Sequence, residues 1–436
     1  MERTHLAALT PASAGETIRV CGWVQSIRNA KRMQFLVMRD HTGLIQVTHE
    51  RTEGGSDIET ALESLTPESA IEVTGALIQN DHVKLRGMEI VPTQIMVVGL
   101  AEKPLPLDQN SPMPTRQDWR YLDLRRPEMN LVFRLQTTIE HAMRQWWMIN
   151  GFLEIHSPKL MGHASESGAE LFSVPYFDGT AYLAQSPQFY KQMAMAAGFD
   201  RIFEIGPVFR ANPSHTVRHD TEFTSVDVEV SWIKSHDDVM KIEEQWLHFI
   251  LTQVRLIHGE EIRERFQKEV VVPALPFPRI TMKDAHQILI ERGHPITDPK
   301  GDLDPEGERQ LCQYVQEKFG HDFVFITDWP ITIRPFYHMR HESDPTLTKS
   351  FDLLWRGLEV TSGAQREHRP EILLKQALEK GLTQKEIQFY IDFFRYGMPT
   401  HGGYGFGLSR MLMLLTGLGN VREVTYLYRG VNRLTP

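Results

Sequence analysis

The chain has little of what marks secreted, membrane-bound or metal-clustered proteins. Its 436 residues include only two cysteines, Cys21 and Cys312. Two cysteines cannot form a disulfide framework, and no metal-ligand spacing surrounds them. We therefore expect both cysteines to be buried and to pack like small apolar residues. No apolar run approaches the roughly 20 residues of a membrane-spanning helix, and the amino terminus lacks the charged-then-apolar pattern of a signal peptide. Repeats and low-complexity tracts are also absent. These absences predict a soluble cytoplasmic protein with no membrane partner.

Basic residues are fewer than acidic ones. The chain carries 47 lysines and arginines against 56 acidic residues, which gives a net charge of −9. A negative total argues against nucleic acid as a partner, although local charge matters more than the sum. Arg28, Lys31, Arg32 and Arg39 cluster near the amino terminus among aromatic and apolar residues. That cluster keeps a nucleic-acid partner open.

The first 100 residues contain five short β-strand patterns. They span residues 18–24, 35–40, 44–48, 71–77 and 83–90, with a turn at 41–43. This arrangement is typical of an OB barrel, which holds single-stranded nucleic acid by charge and by stacking bases on aromatic side chains. The barrel alone leaves open whether Phe35 stacks a base or belongs to the core. We expect an OB domain over residues 1–102, a proline- and charge-rich hinge over 103–130, and a second domain over 131–436.

The strongest functional signal lies between residues 203 and 230. Alternating apolar residues predict two half-buried antiparallel strands joined by a loop at 213–214. Around that loop, Arg210, Arg218 and His219 offer positive charge to a triphosphate, and Phe223 offers an apolar face to a purine. An ordinary hairpin with its charged face in water has the same pattern. The remaining motifs decide between the two interpretations.

Two further blocks lie downstream. Asp352 and Glu359 are seven residues apart, so a straight strand would direct them to opposite faces, whereas a bend at 356–357 would let them converge. Converging carboxylates suit Mg²⁺ that bridges phosphates. Residues 402–410 are rich in glycine and end in Arg410, and the apolar run 411–415 predicts a buried helix. The glycine pattern alone is weak, since it is more often a packing or turn device.

Together these blocks resemble motifs 2 and 3 of the class II aminoacyl-tRNA synthetases. Residues 151–160 resemble motif 1, which forms the dimer interface in that family, and they follow an amphipathic segment with apolar residues at helical spacing: Leu131, Leu135, Ile139, Ala142 and Trp146. Blocks at 165–172, 185–192, 203–210 and 362–368 extend the resemblance over nearly the whole chain to aspartyl-tRNA synthetases of the archaeal and eukaryotic type. The resemblance implies an α+β fold, with an OB barrel followed by an antiparallel sheet flanked by helices. It also implies a homodimer that uses aspartate, ATP, Mg²⁺ and tRNA.

The resemblance assigns roles in ATP binding and catalysis. Arg210 would grip the α-phosphate, and Arg218 and His219 the outer phosphates. Glu222 would bind the adenine amino group, while Phe223 and Arg410 would sandwich the purine. Arg210 and Arg410 are the expected catalytic residues; Glu359 and Gly407 complete the ATP set, and Asp352, Glu359 and Ser362 are the expected Mg²⁺ ligands. No general base is required, because the ionised α-carboxylate of the amino acid attacks the α-phosphorus directly.

Substrate and tRNA contacts follow from the same resemblance. Lys191 and Arg366 match the positions that bind the side-chain carboxylate of aspartate, so asparagine would leave a buried cation without its counter-charge. Glu170, Gln188 and Asp227 would meet the ammonium group, with Ser362 nearby. Glu170 would stand on a loop made permissive by Ser167 and Gly168. In the OB domain, Phe35 would stack an anticodon base, and Arg28 and Gln46 would supply polar contacts.

The chain departs from the family pattern at several positions. Asn212 and Pro213 follow Phe-Arg-Ala where an acidic residue is usual, Asp220 replaces an apolar residue, Ser409 precedes Arg410 in place of Glu or Asp, and Gly430 alters the terminal motif. Enzymes that charge only the aspartate tRNA tend to have tryptophan where Gln25 falls and lysine where Lys84 or Leu85 falls. Gln25 therefore predicts relaxed specificity, with both aspartate and asparagine tRNAs charged and a tRNA-dependent amidotransferase as a candidate partner. An asparaginyl-tRNA synthetase, a paralogue that activates aspartate for another acceptor and a non-catalytic nucleic-acid-binding protein remain alternatives.

Overall fold

A computed structural model describes residues 2–162, 170–213 and 216–436. Internal contacts divide the chain into two compact units, Met1–Asn130 and Leu131–Pro436. Within the described residues, no helix is both long and apolar enough to cross a membrane. Cys312 is buried as expected, whereas Cys21 is only half-buried.

The first unit contains a closed five-stranded barrel with strand order β1-β2-β3-β5-β4. The strands are β1 (Thr17–Asn29), β2 (Met33–Asp40), β3 (Gly43–Glu50), β4 (Ala70–Gln79) and β5 (Met88–Gly99), and α1 (Asp57–Ser64) lies between β3 and β4. Alternate residues of β1 and β2 point into an apolar core that includes Val20, Val24, Leu36 and Met38. The predicted OB barrel is confirmed. The predicted start of the last strand at residue 83 was wrong, because Arg86 and Gly87 adopt positive φ angles of 61° and 63°, which a strand cannot contain.

The segment expected to be a hinge contains two short helices, α2 (Met113–Asp118) and α3 (Arg120–Asp123), and the beginning of α4 (Pro127–Ile149). The carboxylate of Asp123 is buried and accepts hydrogen bonds from Arg116 at 2.9 Å and Arg120 at 2.5 Å. A buried carboxylate requires such partners, so its arginines order this part of the chain.

The second unit is built on an eight-stranded sheet with order β12-β13-β14-β15-β16-β11-β10-β6. The strands are β12 (Arg279–Thr281), β13 (Phe323–Thr327), β14 (Ser350–Trp355), β15 (Leu358–Gln365), β16 (His401–Gly407), β11 (Glu222–Ser231), β10 (Arg201–Phe209) and β6 (Leu153–Glu154). Neighbours are antiparallel except for the pairs β12 with β13 and β10 with β6. A smaller sheet joins β7 (Leu160–Met161), β9 (Gly179–Leu183) and β8 (Ser173–Tyr176). The predicted α+β class is confirmed.

Helices flank the large sheet. Besides α4, they are α5 (Gln188–Ala196), α6 (His236–Phe266), α7 (Met282–Glu291), α8 (Pro305–Phe319), α9 (Pro370–Glu379), α10 (Gln384–Ile391), α11 (Leu408–Thr416) and α12 (Val421–Val424). The main core lies where α4 and α6 contact the sheet, and there the Trp147 ring stacks on Phe203 and Trp246 at centroid distances of 4.3 and 5.0 Å. The apolar stripe of α4 is buried as predicted, except that Trp146 is half-buried and the adjacent Trp147 is the tryptophan in the core.

A hairpin formed by β14 and β15 brings the two separated carboxylates together. Arg356 and Gly357 form its turn with φ angles of 49° and 83°, at the predicted bend. Asp352 pairs with Ser362, and Leu354 pairs with Glu359, because the register shifts between Leu353 and Leu354. That shift inserts one extra residue into β15, so that Glu359 and Ser362 face the same side although they are three apart.

Candidate active site

One cavity of about 420 Å³ lies over the central strands of the second unit. Most of the site residues predicted from the sequence line it: Glu170, Gln188, Lys191, Arg210, Arg218, His219, Phe223, Asp227, Glu359, Ser362, Arg366, Gly407 and Arg410. They come from two helices, α5 and α11, from three strands, β11, β15 and β16, and from the segments that connect such elements, and they are as far apart in the chain as Glu170 and Arg410. The fold therefore assembles cations and carboxylates from distant segments in one cavity.

Lys191 lies at the closed end of this cavity and is almost fully buried. Its Nζ atom donates to Asp227 Oδ1 at 3.0 Å and to the Tyr404 carbonyl at 3.2 Å, and it lies 3.4 Å from Glu229 Oε2. Helix α5 brings this lysine over β11, where Asp227 and Glu229 occupy alternate positions on one face. A buried ammonium with these partners is held in one place.

Arg366 forms the second buried cation at this end. It donates to both oxygens of Glu229 at 3.0 and 3.3 Å, to the Gly403 carbonyl at 3.0 Å and to His338 Nε2 at 3.0 Å. Although burial raises the pKa of Glu229, the charges of Arg366 and Lys191 bring it below its ordinary value. Burial and then Arg366 lower the pKa of His338 far below the usual range, so its ring is a neutral acceptor. The sequence pattern did not single out His338, and Glu229 was visible only through its alternation with Asp227.

Gly403, whose carbonyl oxygen accepts from Arg366, lies where only glycine fits. A Cβ atom on Gly403 would lie 2.0 Å from the Val228 carbonyl and 2.3 Å from Glu229 Oε2. Both distances are far inside van der Waals contact, so a side chain here would displace Glu229 and with it Arg366. The glycine-rich block is thus a sheet strand, β16, in which at least this glycine has a packing reason.

The other end of the cavity carries Arg210, Arg218 and His219. The Arg210 guanidinium lies over the Phe223 ring at 5.5 Å. Burial, together with Arg410, Arg210 and Arg218, lowers the pKa of His219. Burial and the three arginines therefore disfavour the charged form of this imidazole in the free protein, and the role of His219 toward the phosphates stays a prediction. The imidazole remains available as a hydrogen-bonding group.

Two predicted ATP residues have surroundings that the sequence did not indicate. Arg410 donates to the Glu359 carbonyl oxygen at 2.6 Å and lies 3.6 Å from its carboxylate, rather than over Phe223. Glu222 lines an adjoining cavity of about 300 Å³, which it shares with Phe223 and Thr224. The roles of both residues toward a purine stay predictions.

Asp352 and Ser362, two of the expected Mg²⁺ ligands, are joined by an arginine that the sequence did not reveal. Arg334 donates to Asp352 Oδ2 at 2.5 Å and to Ser362 Oγ at 3.0 Å. Burial raises the pKa of Asp352 to about 6, Arg334 opposes that shift and Glu359 adds to it. Asp352 Oδ1 is buried and has no hydrogen-bond partner among the described residues. An unpartnered carboxylate oxygen beside a hydroxyl and a second carboxylate fits the oxygen ligands that Mg²⁺ prefers.

Part of the expected substrate loop lies outside the described residues. This applies to Ser167, Gly168 and most of the 165–172 block. Ser214, from the predicted loop at 213–214, also lies outside the described residues. Glu170 is described, and its carbonyl oxygen accepts from Ala211 N at 3.0 Å and from Gln185 Nε2 at 3.2 Å. These bonds attach Glu170 to Ala211 of motif 2 and to Gln185.

The predicted anticodon residues lie on the barrel of the first unit. Phe35 is half-buried on β2, with the Arg28 guanidinium 5.5 Å from its ring. Gln46 donates to Thr48 at 3.0 Å and to Glu89 at 3.1 Å. Lys84 is exposed and Leu85 half-buried in the turn before β5.

Gln25 and Arg39 correct one expectation about this surface. Arg39 is buried, is paired with Glu68 at 2.5 Å and donates to Gln25. It therefore does not belong to a free basic patch, as its position in the sequence had suggested, because Glu68 neutralises it. Its bond to Gln25 instead orients that amide at the surface.

Asp220, which replaces an apolar residue of the family pattern, yields a stability prediction. Burial raises its pKa to about 7, although Thr425 and Arg422 oppose the shift. A raised folded-state pKa stabilises the protein only while the carboxyl is protonated, so this contribution is lost as pH rises from about 4 through 7. We expect Asp220→Asn to match the wild type near pH 4 and to be more stable at pH 8, by on the order of 2 to 4 kcal/mol.

Thermal unfolding of both proteins between pH 4 and pH 8 measures this difference. Asp178→Asn, at an exposed position of the same unit, serves as the control and should show no pH-dependent gap. A gap for Asp220→Asn that stays constant with pH would contradict the prediction.

Comparison with known proteins agrees with this geometry. Residues 112–429 match the family of class II tRNA synthetases (D, K and N), and residues 18–98 match the OB-fold nucleic acid binding domain. The chain is 43% identical to an aspartate–tRNA(Asp/Asn) ligase of Aeropyrum pernix, over 97% of this chain and 96% of that protein. It is 40% identical to an aspartate–tRNA(Asp) ligase of Pyrococcus horikoshii over the full length of both.

Solved structures show the same similarity. An aspartyl-tRNA synthetase from Entamoeba histolytica superposes with a TM-score of 0.89 at 32% identity, covering 100% of this chain and 93% of that one. An asparaginyl-tRNA synthetase from Pyrococcus horikoshii, complexed with asparaginyl-adenylate, superposes with a TM-score of 0.91 at 29% identity over both full chains. The chain therefore belongs to the class II tRNA synthetases of the D, K and N group.

Proposed function

We propose that this enzyme joins L-aspartate to tRNA through an aspartyl-adenylate. The observation that carries the proposal is the pair of buried cations, Lys191 and Arg366, at the closed end of a cavity whose other end carries Arg210 and Arg218. Two fixed cations select a ligand side chain that is negative, and the arginines suit a polyphosphate. The relatives named as aspartate–tRNA ligases support the same substrate.

The chemistry requires positioning and charge neutralisation. Lys191 and Arg366 hold the side-chain carboxylate, and Asp227, with Glu170 and Gln188, receives the ammonium group. This leaves the α-carboxylate to attack the α-phosphorus; the bond from that phosphorus to the oxygen that bridges it to the β-phosphate breaks, pyrophosphate leaves, and Arg210 neutralises the charge that develops. Mg²⁺ bound by Asp352, Glu359 and Ser362 would neutralise charge on the phosphates. Arg218, His219, Phe223, Gly407 and Arg410 bind the rest of the nucleotide, and Glu222 the adenine amino group.

Pyrophosphate exchange with aspartate and with asparagine tests this function. Exchange that depends on aspartate and not on asparagine supports it. The asparaginyl alternative has one observation in its favour, the close superposition on an asparaginyl-tRNA synthetase, and exchange that depends on asparagine would establish it. Loss of exchange with retained tRNA binding would instead indicate a nucleic-acid-binding protein.

We also propose that the enzyme charges both aspartate and asparagine tRNAs. Residues 1–102 form the anticodon-binding domain and 103–130 its connection to the catalytic domain, 131–436. Phe35 stacks an anticodon base, Arg28 and Gln46 bind its neighbours, and the third position is read near Gln25 and the Lys84–Leu85 turn. The exposed amide of Gln25, held by Arg39, can donate or accept and so tolerates more than one base.

Aminoacylation of the two purified tRNAs decides this point. Charging of both supports relaxed specificity, which would make a tRNA-dependent amidotransferase a functional partner. Charging of only the aspartate tRNA would remove the idea while leaving aspartate activation intact.

We propose that the enzyme works as a homodimer through motif 1. Met148, Ile149 and Leu153 are exposed apolar residues at the end of α4 and on the edge strand β6. Clustered apolar residues on an unpaired edge favour association with a second copy. Sedimentation equilibrium of the wild type and of Ile149→Glu checks this, because the variant should be monomeric.

A further inference from the structure

An acidic residue on α8 contacts Arg218, which lies at the end of the cavity where the nucleotide phosphates are proposed to bind, called the phosphate end below. Glu308 Oε2 accepts a hydrogen bond from Arg218 Nη1 at 3.1 Å, and the two side chains are 12% and 25% exposed. The two residues are 90 positions apart in the chain. Neither the sequence motifs nor the roles proposed above involve α8, so this contact is unexplained by them.

The helix that carries Glu308 is held firmly in place. Asp304 caps α8 by accepting from Gly307 N at 2.7 Å, and Pro305 occupies its first position. Its apolar face, which includes Leu311 and Val315, is fully buried. Arg218, in contrast, stands on the loop between β10 and β11, outside any helix or strand. The rigid partner is therefore Glu308, and the contact fixes the position of the arginine.

The charged groups around Glu308 also favour its contact with Arg218. Burial, followed by the nearby Glu359 carboxylate, raises the pKa of Glu308 to about 7, and Arg218 and Arg410 oppose the shift. A carboxylate is costly in such surroundings, and the hydrogen bond from Arg218 offsets part of that cost, so the two side chains stabilise each other in this position. Glu308 accepts from Nη1, and among the described residues the Nε and Nη2 donors of Arg218 have no hydrogen-bond partner, so they can donate to a ligand in the cavity that Arg218 lines.

We propose that Glu308 is a positioning residue, which holds the guanidinium of Arg218 where it binds the outer phosphates of the nucleotide. This inference rests on the proposed function, because it requires that the cavity takes ATP. Glu308 itself does not touch the reacting atoms. It acts by reducing the conformational freedom that the loop arginine would otherwise lose when the triphosphate binds.

Three variants test the proposal. Glu308→Ala removes the contact, whereas Glu308→Gln keeps an oxygen that can accept from Arg218 but removes the charge. Glu306→Ala is the matched control, since Glu306 lies on the same helix and is also half-buried, but pairs with Arg309 and Gln310 instead. Calorimetric titration of each protein with a non-hydrolysable ATP analogue and Mg²⁺ gives Kd without turnover, and pyrophosphate exchange gives KM for aspartate and for ATP.

We expect Glu308→Ala to weaken binding of the analogue roughly fivefold to tenfold, with KM for aspartate unchanged. Glu308→Gln should recover most of that affinity, and Glu306→Ala should match the wild type. In an Arg218→Ala background, the further change Glu308→Ala should have no effect, because the residue it positions is absent.

Two results would overturn the proposal. Tighter binding by Glu308→Ala would show that Glu308 holds Arg218 away from the nucleotide, and unchanged binding would show that the contact is irrelevant to it. If the wild type bound no ATP analogue at all, the proposed function itself would fail, and the inference with it. The wild-type titration separates that case from failure of the Glu308 role alone.

Discussion

Replacing Lys191 by glutamine is expected to lower kcat/KM for aspartate by roughly 10³- to 10⁴-fold. The Lys191 ammonium is buried between Asp227 and Glu229 and shares the closed end of the cavity with Arg366. Without it, the two carboxylates outnumber the remaining cation, and a ligand carboxylate would enter a site with excess negative charge. Pyrophosphate exchange at varied aspartate concentrations measures the loss.

The lower kcat/KM of Lys191→Gln should reflect weaker use of aspartate and not weaker binding of ATP. Binding of the ATP analogue should change less than about threefold, because Lys191 contacts Asp227, Glu229 and the Tyr404 carbonyl and shares no partner with Arg210 or Arg218. Lys234→Gln, at an exposed lysine of the same unit, is the control and should behave as the wild type. A loss below tenfold, in a variant with an unchanged thermal transition, would contradict the assignment of Lys191 to the substrate carboxylate.

Replacing Arg210 by lysine is expected to reduce kcat for aspartate activation by roughly 10²- to 10³-fold. Arg210 follows the last residue of β10 and lines the cavity, with its guanidinium over Phe223. Lysine keeps the charge but lacks the planar fork that contacts two phosphate oxygens at once and stacks on an aromatic ring. The loss should appear in kcat, because the contact strengthens as charge develops on the α-phosphate.

Arg201→Lys is the matched control for this variant. Arg201 begins the same strand, is exposed and lies over Phe152 at 5.7 Å, far from the cavity residues. Single-turnover measurement of adenylate formation should show the wild-type rate for the control. A higher KM for ATP with unchanged kcat in Arg210→Lys would contradict this prediction. It would mean that Arg210 binds the nucleotide equally in the ground state and in the transition state and does not assist the reaction.

The metal-binding prediction shows how far sequence reasoning reached. The seven-residue spacing of Asp352 and Glu359 indicated that a bend was needed, and the turn lies at Arg356 and Gly357. The turn alone does not bring Glu359 and Ser362 to one face. The extra residue in β15 does so, and a bulge depends on pairing with a neighbouring strand, which has no signal within the segment itself.

The charged partners in the cavity show the same limit. Lys191 and Arg366 are recognisable within their local blocks, and Glu229 alternates with Asp227 on β11. That Glu229 joins the two cations follows only once α5, β11 and the segment after β15 are assembled. Arg334 and Glu308 come from segments without any motif, and each contacts a predicted site residue from a separate element. Such pairs are fixed by three-dimensional distance, which spacing along the chain does not encode.

By itself, the sequence determined the OB barrel, the α+β class, the strands that carry the motifs and most residues of the cavity, because alternation and motif blocks are local properties of the chain. Only the tertiary structure decided which charges neutralise each other. It buried Arg39 against Glu68, placed His219 where burial and three arginines lower its pKa, and joined Asp352 to Ser362 through Arg334. Burial and distance set the protonation and partners of each group, and both arise only when remote segments pack together.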